Sequence, residues 1–123
     1  MIIVQARIPV QSDCRNIAYQ HIHDFVNYTR AEQGCVGCEA YVSLEDPDIL
    51  VIHQAWRAAD DLDQHASGEG LEAFLEALPL FVAGEISTLR YDAVDDEEEG
   101  VGEGEGNAPE EVVVDIPLGV TFH

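Results

Sequence analysis

The segment from Thr29 to His65 limits the possible folds of this chain more than any other part of the sequence. It starts at the end of an amphipathic helical pattern that Gly34 closes, passes through two β-rich runs, and ends on a second helical pattern. The two runs are joined by a turn from Glu45 to Asp48 that contains proline, so they predict an antiparallel hairpin. A helix, a hairpin and a helix in this order predict an α+β domain.

The patterns on both sides of this segment complete the order of elements. Apolar β-branched residues from Ile2 to Val10 predict a first strand. From Ser12 or Asp13 to Thr29, apolar residues recur at i, i+3, i+4 and i+7, which predicts a first helix. The remaining predicted elements are strands at about 36–44, 49–56 and 84–94 and a helical region at about 60–78 that glycines divide in two. The resulting order, β-α-β-β-α-β, is the ferredoxin-like plan with an antiparallel sheet.

The second and third predicted strands carry apolar side chains on both faces. In the second strand Tyr41 and Val42 point to opposite faces, and in the third Leu50 and Val51 do the same. In the ferredoxin-like plan both helices pack on one face of the sheet, so the other face needs a different cover. A second copy of the chain is the simplest cover, and we predict a homodimer.

The composition of the chain changes after the last predicted strand, which ends a first domain of residues 1–94. Residues 95–111 are dominated by glycine, aspartate and glutamate, a composition that predicts a flexible linker. Residues 112–123 are again apolar and β-prone, and an exposed segment of that kind favours aggregation. We therefore expect residues 112–123 to add a strand to the chain's own sheet or to that of a partner. A frayed tail is the alternative.

The charge of the chain excludes several classes of partner. With 25 acidic residues against five arginines and no lysine, the formal net charge is -20, which repels nucleic acids and anionic membranes. No apolar run approaches the length of about 18 residues that a membrane span requires, and the first residues lack the features of a secretory signal. The expected location is cytoplasmic, and the three cysteines are expected to be free thiols.

Cys35 and Cys38 form a lone C-x-x-C pair. Redox-active pairs stand at the start of a helix, where the helix dipole lowers the thiol pKa, whereas this pair follows a helix and enters a strand. A zinc site needs two further ligands, and His21, His23, His53 or Cys14 could supply them only through a geometry that the sequence does not reveal. We therefore predict no metal site and no redox role for this pair.

A set of residues spread over the first 94 positions carries a resemblance to a known family. The matching positions are the sequence R-A-E-Q-G-C from Arg30 to Cys35, Tyr41, the Asp46-Pro47 turn, Trp56, Leu62, His65, Phe74 and Tyr91. With these residues the chain resembles the antibiotic biosynthesis monooxygenase family, whose members include quinol monooxygenases and cofactor-independent anthrone oxygenases. The resemblance implies a ferredoxin-like fold that pairs into a dimeric α/β barrel, and it implies no cofactor.

The activity implied by the resemblance is a cofactor-independent monooxygenation of a phenolic, quinol or polycyclic aromatic substrate with dioxygen. His65 is then the catalytic residue, because an imidazole can accept a proton from a substrate hydroxyl or hydrogen-bond the resulting anion. Leu62 and His65 are three residues apart on one helical face, which turns toward the sheet. The implied substrate-binding residues are Trp56, Tyr41, Phe74, Gln5 and Tyr91.

Each of these roles has a structural alternative. His65 can instead bond a backbone carbonyl and fix the loop after its helix, and Trp56 can be a residue of the core or of a dimer interface. Gln54 stands where the family often has a glutamate, so a carboxylate role at that position does not carry over. The alternative function is a non-catalytic dimer that binds a small aromatic molecule or serves as an interaction module on the same fold.

Overall fold

Strand-forming and helix-forming segments alternate along the structure as they do in the sequence. A computed structural model of the chain describes residues 1–93 and the backbone of residues 110–113. The strands are β1 (Ile2–Pro9), β2 (Cys35–Val42), β3 (Ile49–Trp56), β4 (Ser87–Asp92) and β5 (Glu110–Val113), and the α-helices are α1 (Arg15–Arg30), α2 (Ala59–Ala66) and α3 (Glu69–Ala77). Short 3-10 helices at Ser12–Cys14 and Leu78–Leu80 precede α1 and follow α3. Among the described helices, none has both the length and the apolar character needed to cross a bilayer.

The sheet has the strand order β2-β3-β1-β4-β5, and all neighbouring strands are antiparallel. At the centre of β1, Gln5 is paired with His53 of β3 on one side and with Leu89 of β4 on the other. The first four strands and the helices form the ferredoxin-like arrangement, so the predicted fold is confirmed. The third predicted strand coincides with β3, whereas β4 begins at Ser87, later than the predicted 84.

Helix α1 packs with the face that the sequence pattern predicts. Its buried residues are Ala18, Ile22, Phe25, Val26 and Thr29. The helix ends at Arg30, and Gly34 follows in the loop to β2 with a φ of 84°, in the left-handed region. A Cβ at this position would lie 2.1 Å from Cγ of Asp61. Glycine is therefore required here by both the backbone angle and the close approach of α2.

The helices pack on the face of the sheet that carries the even-numbered side chains of β1 and β3. On this face Ile8, Leu50 and Ile52 are at most 3% exposed, and they belong to one cluster with Phe25 of α1 and Phe74 of α3. Fully burying an apolar side chain of this size contributes about 1.5–3 kcal/mol. This layer between sheet and helices is the core of the domain, and it also surrounds the cavity described below.

The opposite face of the sheet, here called the open face, carries the odd-numbered side chains of β1, β3 and β4. On it Ile3, Val51, Leu89 and Tyr91 are only partly buried, and Tyr91 is paired with Ile3. The buried residues of all three described helices lie on the other side. Within the described residues the open face is therefore a surface without a helical layer, on which these apolar side chains lie beside the polar Gln5 and His53.

Strand β5 adds to the edge of the sheet beside β4. Its backbone is paired with β4 so that Val113 stands opposite Ser87 and Glu110 opposite Arg90. The strand begins two residues before the predicted terminal segment of residues 112–123, inside the predicted linker of residues 95–111. Residues 94–109 and 114–123 lie outside the described residues, so the predicted division at 94 and 111 stays a prediction.

Candidate functional site

A cavity of about 210 Å³ lies between the helices and the even-numbered face of the sheet. Residues of β1, β3 and β4 form one side, and residues of α1, α2 and α3 form the other. Eleven of the lining residues are apolar, and three have polar side chains, namely Gln54, His65 and Thr88. A ligand that fits this cavity has an apolar body and a small number of polar groups.

His65 is held in the cavity wall by a carboxylate. It lies in α2, is 4% exposed, and its Nδ1 is 2.5 Å from Oε1 of Glu32. Glu32 lies in the loop between α1 and β2, two residues before Gly34, and its side chain is 21% exposed. A carboxylate can only accept a hydrogen bond, so Nδ1 of His65 carries the hydrogen. In the neutral ring this leaves Nε2 as the proton acceptor.

Aromatic rings fix the plane of the His65 imidazole. The ring centre of Trp56 is 4.8 Å away, and that of Phe25 is 5.6 Å away in an edge arrangement. Phe74 stacks on Phe25 with ring centres 4.6 Å apart. The imidazole thus has a carboxylate partner on one nitrogen and apolar rings beside it, which is an arrangement that orients a base.

Trp56 lies behind the cavity wall rather than in it. It is fully buried, and its Nε1 donates a hydrogen bond of 2.8 Å to Oε1 of Gln54. Gln54 lines the cavity and is 7% exposed. Because its oxygen is turned to the indole, the group that Gln54 can offer a ligand is its amide NH2.

Thr88 is a lining residue that the sequence reasoning did not select as a site residue. Its Oγ1 is out of contact with solvent, and within the described residues it makes no hydrogen bond. The alternation of Ile86 and Thr88 against Leu89 in the last strand was a signal that Thr88 faces the helices. Glu32 was missed as well, and its place beside Gly34 in the matched R-A-E-Q-G-C sequence was the available signal.

The structure gathers some of the predicted site residues and separates others. His65 and Phe74 line the cavity, and Trp56 contacts His65 from behind. Gln5 and Tyr91 lie on the open face, because Val4 and Thr88, which are one and three residues before them in their strands, belong to the cavity side. They are therefore on the far side of the sheet from His65.

Tyr41 lines a different cavity, of about 320 Å³, between α1 and β2. Its side chain is half exposed, and its hydroxyl donates a hydrogen bond to the carboxylate of Glu39. This bond raises the pKa of the Tyr41 phenol, with burial as a smaller cause. The phenol is therefore held neutral and is directed away from the His65 cavity.

The cysteines are thiols without an activating environment. All three are free, and burial raises the pKa of Cys38 to about 12 and raises that of Cys35 as well. Both thiols are thus kept in the protonated, unreactive form. Across the part of the chain that the structure describes, no group of three or more His, Cys, Asp or Glu residues is placed to hold a metal ion.

Comparison with solved structures gives the same fold. An antibiotic biosynthesis monooxygenase shares 22% identity and a TM-score of 0.71, covering 77% of this chain and 100% of that one. Rv0793 from Mycobacterium tuberculosis shares 21% identity and a TM-score of 0.71, with 77% and 96% covered. A conserved protein from Methanosarcina mazei Go1 shares 24% identity and a TM-score of 0.72, with 76% and 92% covered. At these identities the likeness shows the fold alone.

Comparison of the sequence itself gives the family. No curated protein matches the chain. The family model for antibiotic biosynthesis monooxygenase matches residues 1–77, which include β1 to β3, the three helices and the His65 cavity's helical wall. Since this match spans more than half of the 123 residues, the chain belongs to the antibiotic biosynthesis monooxygenase family.

Proposed function

We propose that this protein is a cofactor-independent monooxygenase that oxidises a phenolic, quinol or polycyclic aromatic substrate with dioxygen. The observation that carries the proposal is the His65–Glu32 pair, which sets a buried imidazole in the wall of an apolar cavity with Nδ1 bound to a carboxylate. In this proposal His65 is the catalytic base and Glu32 is its positioning residue. Phe74 bounds the substrate, and Trp56 supports His65 and Gln54 from behind.

The reaction begins with a proton transfer. Nε2 of His65 takes the proton of the substrate hydroxyl, and the imidazolium that forms is stabilised by the carboxylate of Glu32. The phenolate is electron-rich and transfers an electron to dioxygen, after which a carbon–oxygen bond forms between the two. One oxygen atom stays in the product as a carbonyl oxygen, and the other leaves as water with two hydrogens from the substrate.

The apolar lining supports this chemistry in two ways. It lowers the local polarity, so the interaction between imidazolium and phenolate is stronger than it would be in bulk water. It also provides a space for dioxygen, which is itself apolar, beside the substrate ring. Phe25 and Phe74 supply a large part of this lining from the helix side.

The assembly that we propose is a homodimer formed through the open face. The support is the partly buried apolar surface that includes Ile3, Val51 and Leu89, which no described helix covers. Val51→Glu should dissociate the dimer, whereas the same change at the exposed Ala73 of α3 should not. Sedimentation velocity at micromolar concentration measures this, and a monomeric wild-type protein would contradict the proposal.

A non-catalytic binding protein is the second candidate function. The observation in its favour is that the hydrogen bond between His65 and Glu32 also connects α2 to the loop after α1, which is a purely structural role. In that case the cavity binds an aromatic molecule without turnover.

Oxygen consumption separates the two functions. Wild-type protein, His65→Ala and the control His23→Ala are supplied with a panel of phenols, hydroquinones and anthrones, and dioxygen uptake is recorded. His23 is an exposed residue of α1 and does not line the His65 cavity. Uptake by the wild type and His23→Ala, with loss of about 100-fold or more in His65→Ala, is the expected result for a general base. Uptake at the uncatalysed rate in every sample would reject the oxygenase.

A further inference from the structure

We infer that Gln54 is the hydrogen-bond donor of the His65 cavity, and that its amide NH2 holds the ligand oxygen from which His65 takes a proton. The inference rests on the proposed function for the proton transfer to His65. It adds a second residue in contact with the substrate, and it assigns to that residue the stabilisation of the negative charge that the transfer leaves on the oxygen.

The orientation of the Gln54 amide is fixed by Trp56. An indole N–H can only donate a hydrogen bond, so the Gln54 atom that lies 2.8 Å from Nε1 of Trp56 has to be the amide oxygen. Trp56 is fully buried and Gln54 is 7% exposed, so replacing this hydrogen bond by one to water is costly. The amide oxygen is therefore occupied by the indole, and the NH2 group is the part of the side chain that remains for a ligand.

The NH2 group of Gln54 is open to the cavity. Within the described residues, the buried side-chain atoms that have neither solvent contact nor a hydrogen-bond partner are the hydroxyls of Thr29 and Thr88. The amide nitrogen of Gln54 donates to no described residue, so it retains contact with the space that Gln54 lines. A donor of this kind, on a side chain that is almost fully buried, is satisfied by a ligand atom or by a water molecule in the cavity.

The other polar side chains of the cavity do not duplicate this donor. Nε2 of His65 is a proton acceptor in the neutral ring, because Nδ1 carries the hydrogen toward Glu32. Oγ1 of Thr88 has no contact with solvent, so it does not face the open space of the cavity. Among the lining side chains of the described residues, Gln54 is thus the one that can donate a hydrogen bond to a ligand while His65 is neutral.

Gln54 and His65 act in the same part of the cavity, since both contact the indole of Trp56. The ring centres of His65 and Trp56 are 4.8 Å apart, and the amide of Gln54 is hydrogen-bonded to the same indole. When His65 takes a proton from a hydroxyl, negative charge develops on the hydroxyl oxygen. A fixed donor at the position where charge develops stabilises the transition state, because it needs no reorientation during the reaction.

Two neutral probes of nearly equal shape isolate this donor. They are acetophenone, whose carbonyl oxygen only accepts hydrogen bonds, and α-methylstyrene, which has a methylene group in its place. Their dissociation constants are measured at pH 8 without dioxygen, by titration of the backbone amide signals of the protein in NMR spectra. Gln54→Met keeps the length of the side chain without its amide. In this variant the affinity for acetophenone relative to α-methylstyrene should fall about tenfold, which corresponds to about 1.4 kcal/mol, the order of one hydrogen bond.

Two further variants separate this role from a structural one. Gln5→Met makes the same chemical change in the central strand, but on the open face, and should keep the wild-type ratio of the two affinities. In Gln54→Glu the carboxyl group can still accept the hydrogen bond of Trp56, but when ionised it offers a ligand no donor. Gln54→Glu should therefore lower the ratio as Gln54→Met does. If circular dichroism shows that Gln54→Met does not fold, Gln54→Glu decides the test.

The outcomes distinguish this inference from the proposed function. An unchanged affinity ratio in the folded Gln54 variant, an equal fall in Gln5→Met, or no binding of either probe to the wild type would overturn the inference. A Gln54-dependent ratio together with oxygen uptake at the uncatalysed rate would uphold the donor and reject the oxygenase. His65-dependent uptake with an unchanged ratio would do the reverse.

Discussion

Replacement of Glu32 is the most direct test of the site, because this residue is the hydrogen-bond partner of Nδ1 of His65. In Glu32→Ala the Nδ1–H of His65 loses its acceptor, and the His65 side chain is only 3% exposed, so water cannot fully replace it. Hydrogen bonds to charged groups contribute about 1.5–3 kcal/mol. Since the side chain of His65 is almost fully buried, the upper part of this range applies, and we expect a loss of about 2–3 kcal/mol.

The measurement is urea denaturation followed by circular dichroism at neutral pH. Glu32→Gln keeps an acceptor without the charge and should lose about 1 kcal/mol. The control is Glu76→Ala, at an exposed position of α3, which should stay within about 0.5 kcal/mol of wild type. In a thermal scan a loss of 2–3 kcal/mol lowers the melting temperature by about 10–20 °C for a domain of this size. Equal stabilities of Glu32→Ala and Glu76→Ala would refute the reasoning.

The tautomer of His65 gives an independent reading of the same contact. In wild type the neutral ring should show a protonated Nδ1 and an unprotonated Nε2 in nitrogen-15 spectra, because Glu32 accepts from Nδ1. In Glu32→Ala this preference should be lost. A wild-type ring protonated on Nε2 would contradict the role of Nε2 as the base.

Three further predictions concern the scaffold. Gly34→Ala should lower the free energy of unfolding by about 1–3 kcal/mol, because an L residue with φ of 84° is strained and its Cβ would meet Asp61. The control is Gly37→Ala, whose added Cβ meets nothing within 4 Å. It should lower the free energy of unfolding less in the same urea assay. Hydrogen bonds from Ser12 and then Arg15 hold the pKa of Asp48 below its ordinary value of 3.8. The ionised Asp48 therefore stabilises the folded protein above that pH, and this stabilisation is lost as the pH falls through the lowered pKa of the folded state. Denaturation between pH 6 and pH 2 should therefore show a weaker acid dependence in Asp48→Asn, and an unchanged dependence would contradict this. Cys38, which is 2% exposed with a pKa of about 12, should be alkylated by iodoacetamide only after unfolding, as mass spectrometry of the native protein at pH 8 can check.

Local patterns in the sequence determined the elements and the orientation of the catalytic candidate. The predicted strand 49–56 coincides with β3. Its β-branched and aromatic residues lie between a turn and the start of a helix, and these two signals fix both ends of the strand. Leu62 and His65 share a helical face through their spacing alone, and that face turns inward to the cavity. The fold followed from the order of these elements, since few arrangements of β-α-β-β-α-β bury the apolar faces.

The composition of the site depended on contacts between distant parts of the chain, and only the tertiary structure decided it. Glu32 meets His65 across 33 positions, and Thr88 enters the cavity because pairing with Ala6 places it on the helix side. Gln5 and Tyr91 lie on the open face through the same pairing, since a shift of one residue changes the face of every side chain in a strand. Residue type and local spacing thus fixed which segments are strands and helices, whereas strand register, a relation between segments, fixed which side chains meet.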